Sequence, residues 1–500
     1  MPAEIVPEWN HRAECDARNE VRKRSRALPD GVAGLGAEPH LKEECGLFGI
    51  WGHKDAAKIT YYGLHSLQHR GQDGAGIVVK NNGELSRHKG FGLLTEVFTG
   101  ETLDKMQGTA AIGHVLYARA KNADLAGIHP FLFHFERNSL AICHNGSLVN
   151  AKSIRHRLEE YGSIFQTSSN SETMAHVIKR NTHANFIDSV KMALKQVKGG
   201  FAYTLLTQTE LIAARDPRGL RPLVIGRLGH SYVVASETCA FDTIGADYVR
   251  DVAPGEMVII DDRGMRTETF TDDRDLAVCS MEYIYFARPD SNIAGVNVHT
   301  SRKNVGRVLA EESPTKADIV VALPDSGVSA AIGYAEASGI PYEMGLIKNR
   351  YIGRTFIQPT QDLREQGVKM KLSAVRSIVA GKSLVLVDDS IVRGTTSKRI
   401  VALLRETGAR EIHMKIASPM FTHPCFYGID LPDPSELISY NNTPWDISEI
   451  IGVDSLAFIS ESGLATAVGI PHEGACRGLC MGCFNGNYPT NLYDFEVQNV

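Results

Sequence analysis

No apolar run in this sequence approaches the length needed to cross a bilayer, so it offers no candidate for a helical membrane span. Positive charge is not in surplus either. The formal net charge is −5, which argues against a general binder of nucleic acid or of membrane surfaces. Any phosphate site must then be local, built from loops and helix ends. The basic stretch from Arg18 to Arg26 has no apolar segment behind it, so it does not read as a secretory signal, and a cytoplasmic setting is expected. Internal repeats are absent, and so are low-complexity runs beyond the N-terminus. Cysteine is sparse, with nine in 500 residues, and a reducing compartment would keep them as thiols.

What is present fits a globular chain of more than one domain. Apolar residues make up 43% and charged residues 22%, typical of a packed protein in water. Five hundred residues exceed one ordinary core, so two or three domains are expected. Residues 1–44 are polar, carry Pro2, Pro7, Pro29 and Pro39, and sustain neither a helical nor a strand period. They read as a flexible leader. From Cys45 to about 272, short apolar strands recur, such as "CGLFGIWG", "GAGIVVK", "FAYTLLT" and "EMVIID". Two helical stretches interrupt them, near 170–181 and 186–198. That pattern suggests packed antiparallel sheets with helices alongside. Over 273–440 the pattern changes. "ADIVVALP", "SLVLVDDS" and "EIHMKIAS" are continuous apolar runs separated by helical stretches at 302–312, 328–338 and 394–407. Alternation of that kind marks a parallel sheet covered on both faces, with ligands beyond the carboxyl ends of its strands. Residues 441–500 are left as a C-terminal cap.

The sharpest motif is "VLVDDSIVRGTTS", Val385 to Ser397. A buried strand delivers Asp388 and Asp389 to its end, and Ser390, Arg393, Gly394, Thr395 and Thr396 lead into a helix. Hydroxyls and backbone N–H groups at a helix start can cradle a monophosphate. Gly394 lets backbone approach the phosphate closely. Adjacent acids suit ribose hydroxyls and a hydrated magnesium ion.

Cys480 and Cys483 form a C-x-x-C pair, and Cys279 and Cys425 make four thiols. Spacing alone leaves zinc, an iron–sulfur cluster and a redox couple open. Cys143 and Cys239 lie in apolar strand contexts and read as buried structural cysteines.

The phosphate segment resembles the loop that binds 5-phosphoribosyl 1-diphosphate (PRPP) in type I phosphoribosyltransferases. With "YIYFARPDSNIAG", "LPDSG", "KNRYIGRTFIQP" and "SPMFTHPCFYGID", the resemblance extends to the glutamine PRPP amidotransferases, from about Cys45 to Pro489. It implies PRPP binding by the loop and assigns Ser326, Asp388 and Asp389 to a magnesium site. Lys348, Arg350 and Arg354 would belong to a loop closing over the pyrophosphate and excluding water. It further implies a structural [4Fe–4S] cluster on Cys279, Cys425, Cys480 and Cys483. A homotetramer and feedback by purine nucleotides are implied as well.

"EECGLFGIWG", "LQHRGQDGAGI" and "CHNGSLVN" resemble the N-terminal-nucleophile glutamine amidotransferase domains, whose fold is a four-layer αββα sandwich. There a leader is removed and the cysteine, here Cys45, becomes residue one. Its free amine then acts as base for its own thiol. Cys45 would attack the glutamine carboxamide, with Asn145 and the Gly146 N–H as oxyanion donors. The substrate pocket departs from that pattern. "GHVLYARAKNADLAGIHPF" has Leu116 where the family usually places an arginine for the glutamine carboxylate, and "SSNSE" has Asn170 where it places an aspartate for the amine. The loop end "GIHP", Gly127 to Pro130, also differs, while Arg119 lies three positions beyond Leu116.

Two functions follow from the resemblance. The first is an amidotransferase that forms phosphoribosylamine from PRPP and glutamine-derived ammonia in purine synthesis. The second is a divergent paralogue with PRPP chemistry that takes free ammonia or another amine or amide donor.

Overall fold

The computed structural model describes residues 45–117, 125–135, 138–167, 169–180, 185–349, 372–431, 434–470 and 478–495. The leader, Arg119, Cys476, Arg350 and Arg354 lie outside them.

The N-terminal half is built on two antiparallel sheets. The first has seven strands in the order Asp247–Asp251, Val224–Leu228, Ser231–Ala235, Cys45–Trp51, Ala110–Leu116, Gly74–Asn81 and Glu84–Phe91. The second has six: Gly264–Thr269, Glu256–Asp261, Leu211–Arg215, Gly199–Leu206, Ser139–Leu148 and Phe131–His134. Alternation sorts the side chains by layer. Leu47, Trp51, Ala110 and Ile112 from the first sheet meet Ala141, Cys143, Ala202 and Leu206 from the second in one core. Phe48, Ile50, Ala111 and Val115 point the other way, onto the helices Ala56–Ser66 and Cys239–Ile244. The helices Ala151–Glu160, Asn170–Arg180 and Phe186–Gln196 cover the outer face of the second sheet. The result is the four-layer αββα arrangement that the resemblance implied.

The helices follow from their sequences to different degrees. Phe186–Gln196 buries Ser189, Val190, Ala193 and Leu194 at helical spacing, and Asn185 caps it by accepting from Asp188 N at 2.9 Å. Removing that cap costs about 1 kcal/mol by usual magnitudes. Ala56–Ser66 and Ala151–Glu160 are additional to the two helical stretches foreseen in this half. Cys239 is buried, but it opens a helix rather than lying in a strand.

The second half holds a four-stranded parallel sheet in the order Ile319–Ala322, Ser383–Asp388, Glu411–Ile416 and Ser455–Phe458. Both faces are covered, which explains why these strands read as continuous apolar runs. Val320, Ala322, Val385 and Val387 pack on the side of Val298–Glu312 and Val328–Ser338. Val321, Leu384 and Leu386 pack on the side of Thr395–Thr407 and Pro444–Ile451. The last strand, Ser455–Phe458, lies inside the segment 441–500 that the sequence alone set apart as a cap. The tail then returns: Gly478–Cys480 pairs in parallel with Ala277–Cys279.

Candidate functional site

The carboxyl end of the central parallel strand carries the acid pair. Asp388 is the last strand residue, and its carboxylate accepts from Asp389 N at 2.8 Å. Asp389 accepts from Ser326 Oγ at 2.6 Å and from Ser390 Oγ at 2.7 Å. The "LPDSG" turn and the strand end, 63 residues apart in sequence, are thus joined at one carboxylate. Burial, reinforced by the neighbouring Asp389, pushes the Asp388 carboxyl well above the usual range. A cation placed there would relieve that cost. Magnesium is usually held by one or two carboxylates, with phosphates and water completing its shell. The donor set fits this habit: among the described residues no three His, Cys, Asp or Glu side chains enclose one ion.

The phosphate cradle follows directly. Gly394 has φ +73° and precedes the helix Thr395–Thr407, so its turn aims the first N–H groups of that helix outward. Arg393 pairs with Glu436. Lys348, on an exposed strand end, donates to Asp325 Oδ2 at 2.8 Å and so reaches the same turn as Ser326. Asp325 was quoted within a motif but given no role by the sequence reading.

In the first half Cys45 begins a strand and is buried, 5% exposed. Its register partner is Leu116 on the next strand. Strand alternation puts Cys45 on the same face as Leu47 and Trp51, and Leu116 on that of Ala110 and Ile112, which is the face turned to the second sheet. From that sheet Asn145 shares a face with Ala141 and Cys143 and so looks back at the first. Asn145 is fully buried, and neither its Oδ1 nor its Nδ2 has a hydrogen-bond partner. Buried amides are nearly always satisfied, so this side chain is poised for a group that the protein itself does not supply. Gly146 follows with φ +119°. Asn170 is half-buried at the start of the helix Asn170–Arg180.

Three buried histidines lie close by; His129 belongs to the "GIHP" loop end that departs from the family pattern, while His114 and His144 were given no role from sequence. His129 Nδ1 and His114 Nε2 lie 3.1 Å apart, and His114 Nε2 lies 3.1 Å from the His144 carbonyl. His144 stacks on Tyr203 at 4.4 Å. Burial lowers the pKa of His114 and of His144 to about 3 and that of His129 well below its ordinary value. All three are neutral near pH 7. None supplies the positive charge that Leu116 lacks.

The four thiols come together. Cys279 and Cys480 are register partners, Cys425 packs against the cores that hold the other three, and Thr422 N and His423 N donate to the Cys483 carbonyl, each at 3.1 Å. Cys279, Cys480 and Cys483 are buried, and burial raises each thiol above its ordinary pKa, with the nearby sulfurs adding to the rise. Uncompensated thiolates would be costly here, and a cationic metal centre would remove that cost.

A buried charge network crosses between the halves and carried no sequence signal. Arg70 donates to Glu237 and, at 2.6 Å, to Glu282 Oε2, while Arg221 lies 3.6 Å from Glu282 Oε1. All four are essentially without solvent contact.

Comparison with known proteins agrees with both halves. The glutamine amidotransferase domain family matches residues 119–243, and the phosphoribosyl transferase domain family matches residues 297–420. The chain is 58% identical over 458 residues to the amidophosphoribosyltransferase of Bacillus subtilis, covering 91% of this chain and 96% of that one. It is 53% identical to the amidophosphoribosyltransferase of Staphylococcus aureus strain Mu50, over 92% of this chain and 93% of the other. The solved structure of the B. subtilis glutamine PRPP amidotransferase complexed with ADP and GMP matches with a TM-score of 0.86 and 57% identity, over 90% of this chain and 98% of that one. A solved allosteric regulatory enzyme of purine biosynthesis matches with a TM-score of 0.87 and 57% identity, over 91% and 98%.

Proposed function

This chain belongs to the amidophosphoribosyltransferase family, and on that premise we propose that it makes 5-phosphoribosylamine for purine biosynthesis by joining ammonia to PRPP. The observation that carries this is the acid pair Asp388–Asp389, locked to Ser326 at the end of a parallel strand and followed by the Gly394 helix start. The 5-phosphate would sit on Ser390 to Thr396, in the N–H groups and hydroxyls there. Asp388 and Asp389 would hold the ribose hydroxyls and, with Ser326, a magnesium ion. That ion supplies charge neutralisation of the leaving pyrophosphate. Ammonia's lone pair attacks the ribose anomeric carbon, the bond from that carbon to the pyrophosphate oxygen breaks, and the ammonium nitrogen then loses a proton. Lys348, Arg350 and Arg354 would close over the pyrophosphate and exclude water, which competes with ammonia for the same carbon. Purine nucleotides as feedback ligands and a homo-oligomeric state belong to the same reading.

The nitrogen donor half rests on Cys45 and Asn145. With the leader removed, the Cys45 amine would take the thiol proton, and the sulfur would attack a carboxamide. The developing oxyanion would be met by Asn145 Nδ2 and Gly146 N; its collapse would break the C–N bond and release ammonia, with the Cys45 ammonium returning the proton to the leaving nitrogen, and water would then hydrolyse the thioester to the free acid. On this reading the donor half is 45–272 and the transferase half 273–440, to which the segment 441–500 adds the sheet strand Ser455–Phe458 as well as two of the thiols. Leu116 and Asn170 lack the charges that grip a glutamine zwitterion, so we read this half as weak on L-glutamine and the transferase half as better served by free ammonia or by a less polar amide.

For the thiols, the fit favours a cluster. Four cysteines from distant segments converge, Cys279, Cys480 and Cys483 buried and Cys425 half-buried. Bound there, a [4Fe–4S] cluster would supply cross-linking of the tail to the transferase core. Cys45→Ala tests the partition of the two halves: all glutamine-supported turnover should vanish while ammonia-supported turnover stays. Equal loss of both would sink the assignment of Cys45 to donor chemistry alone.

A further inference from the structure

Gly146 and Gly428 lie back to back. A Cβ on Gly428 would come within 2.9 Å of Gly146 Cα and 3.0 Å of Arg221 Nη2. Gly428 also has φ +115°, so a side chain there is excluded by conformation as well as by space. Arg221 is buried to 1% exposure and grips the Tyr427 carbonyl through Nε at 2.9 Å and Nη2 at 2.7 Å. The segment Cys425–Gly428, which contributes one of the four thiols, is thereby pressed against the backbone of the oxyanion turn.

A second set of contacts holds the same strand from its exit. Val149 shares a small core with Leu220, Tyr427 and Cys480. Beyond Cys483 the tail reaches Asp494, whose N–H donates to Val149 O at 3.0 Å. The Asp494 carboxylate accepts from Lys152 N at 2.7 Å and Ser153 N at 3.2 Å, and so satisfies the start of the helix Ala151–Glu160. Asn145 has no side-chain partner of its own, so the aim of its carboxamide is set by this backbone.

We infer that Gly428 and Arg221 are positioning residues for the oxyanion donors Asn145 and Gly146, and that the four-thiol site thereby braces the nitrogen-donor half as well as the tail. The inference rests on the assignment of Asn145 and Gly146 as oxyanion donors. Such donors act through preorganisation, and a misplacement near 1 Å can cost about 100-fold in rate.

The test uses full-length matured protein with iron and sulfide content measured. In Gly428→Ala, amide hydrogen exchange over residues 145–149 should speed about tenfold. The kcat for glutamine-supported turnover should fall about 100-fold with little change in KM. Ammonia-supported PRPP turnover and iron content should match the parent. Should Gly428→Ala not fold, Arg221→Lys keeps the charge beside Glu282, loses the two-pronged grip on Tyr427, and reads the same exchange. Unchanged exchange over 145–149 in the variant that folds overturns the inference, and so does parallel loss of glutamine- and ammonia-supported turnover. If the parent uses no glutamine, which the missing charges at Leu116 and Asn170 already explain, the exchange measurement alone decides whether Gly428 and Arg221 hold the turn; glutamine turnover that survives Asn145→Ala would sink the donor assignment instead.

Discussion

Cys45 and Leu116 face each other as register partners on neighbouring antiparallel strands, on the side of the sheet turned to Asn145. The candidate nucleophile thus has an aliphatic side chain beside it at the position where the family resemblance calls for an arginine. The buried imidazoles of His114, His129 and His144 have their pKa values lowered by burial, so they are neutral and do not supply that cation. An unpaired carboxylate in such a layer is costly.

Restoring the charges is therefore informative. Leu116→Arg with Asn170→Asp should lower the KM for L-glutamine by about tenfold or more, the usual worth of a hydrogen bond to a charged group. Ammonia-supported turnover should not change. Steady-state kinetics on the double variant check this, and an unchanged KM would show that other residues set the pocket.

Asp388→Asn and Asp389→Asn should each lower PRPP turnover by about 100-fold or more, as loss of a magnesium or ribose contact does. Thermal stability should hold or rise for Asp388→Asn, since its carboxyl is buried beside a second acid. Turnover assays with ammonia, paired with a melting curve, separate the two effects.

Much of this site was legible in the chain. Strands buried on both faces announce themselves as continuous apolar runs, so the parallel sheet and its acid-bearing strand end were readable from "SLVLVDDS". The helix Ala56–Ser66 was hidden because Ile59, Thr60, Tyr61 and Tyr62 favour strands locally, and only packing on the first sheet makes it helical. The network of Arg70, Glu237, Glu282 and Arg221 left no trace, because its partners lie up to 212 residues apart and ordinary charged residues carry no long-range mark.

The thiol site makes a separate prediction. Protein purified without oxygen should be brown and carry about four iron and four sulfide per chain, as four thiolate ligands imply. Cys480→Ser should bleach it and lower the melting temperature by several degrees. Stoichiometric zinc without iron would point to a tetrathiolate zinc site instead.

Acid should loosen the donor half. His114 and His144 have folded pKa values near 3, depressed by burial, against about 6.5 in the unfolded chain. Between those values the unfolded state binds more protons, so stability is full above about pH 6.5 and falls as pH drops toward 3. Each histidine contributes a slope of about 1.4 kcal/mol per pH unit in that window. Denaturant titrations between pH 7.5 and 5 should show it, and His144→Gln should flatten the slope.

The most direct measurement of the central claim is pyrophosphate release from PRPP with ammonia as nitrogen source, with and without magnesium, followed by identification of the amine product. The account predicts magnesium-dependent formation of 5-phosphoribosylamine that is abolished in the Asp388→Asn, Asp389→Asn double variant and that exceeds the rate supported by L-glutamine. Cofactor-replete protein that leaves PRPP intact in the presence of ammonia and magnesium would contradict it.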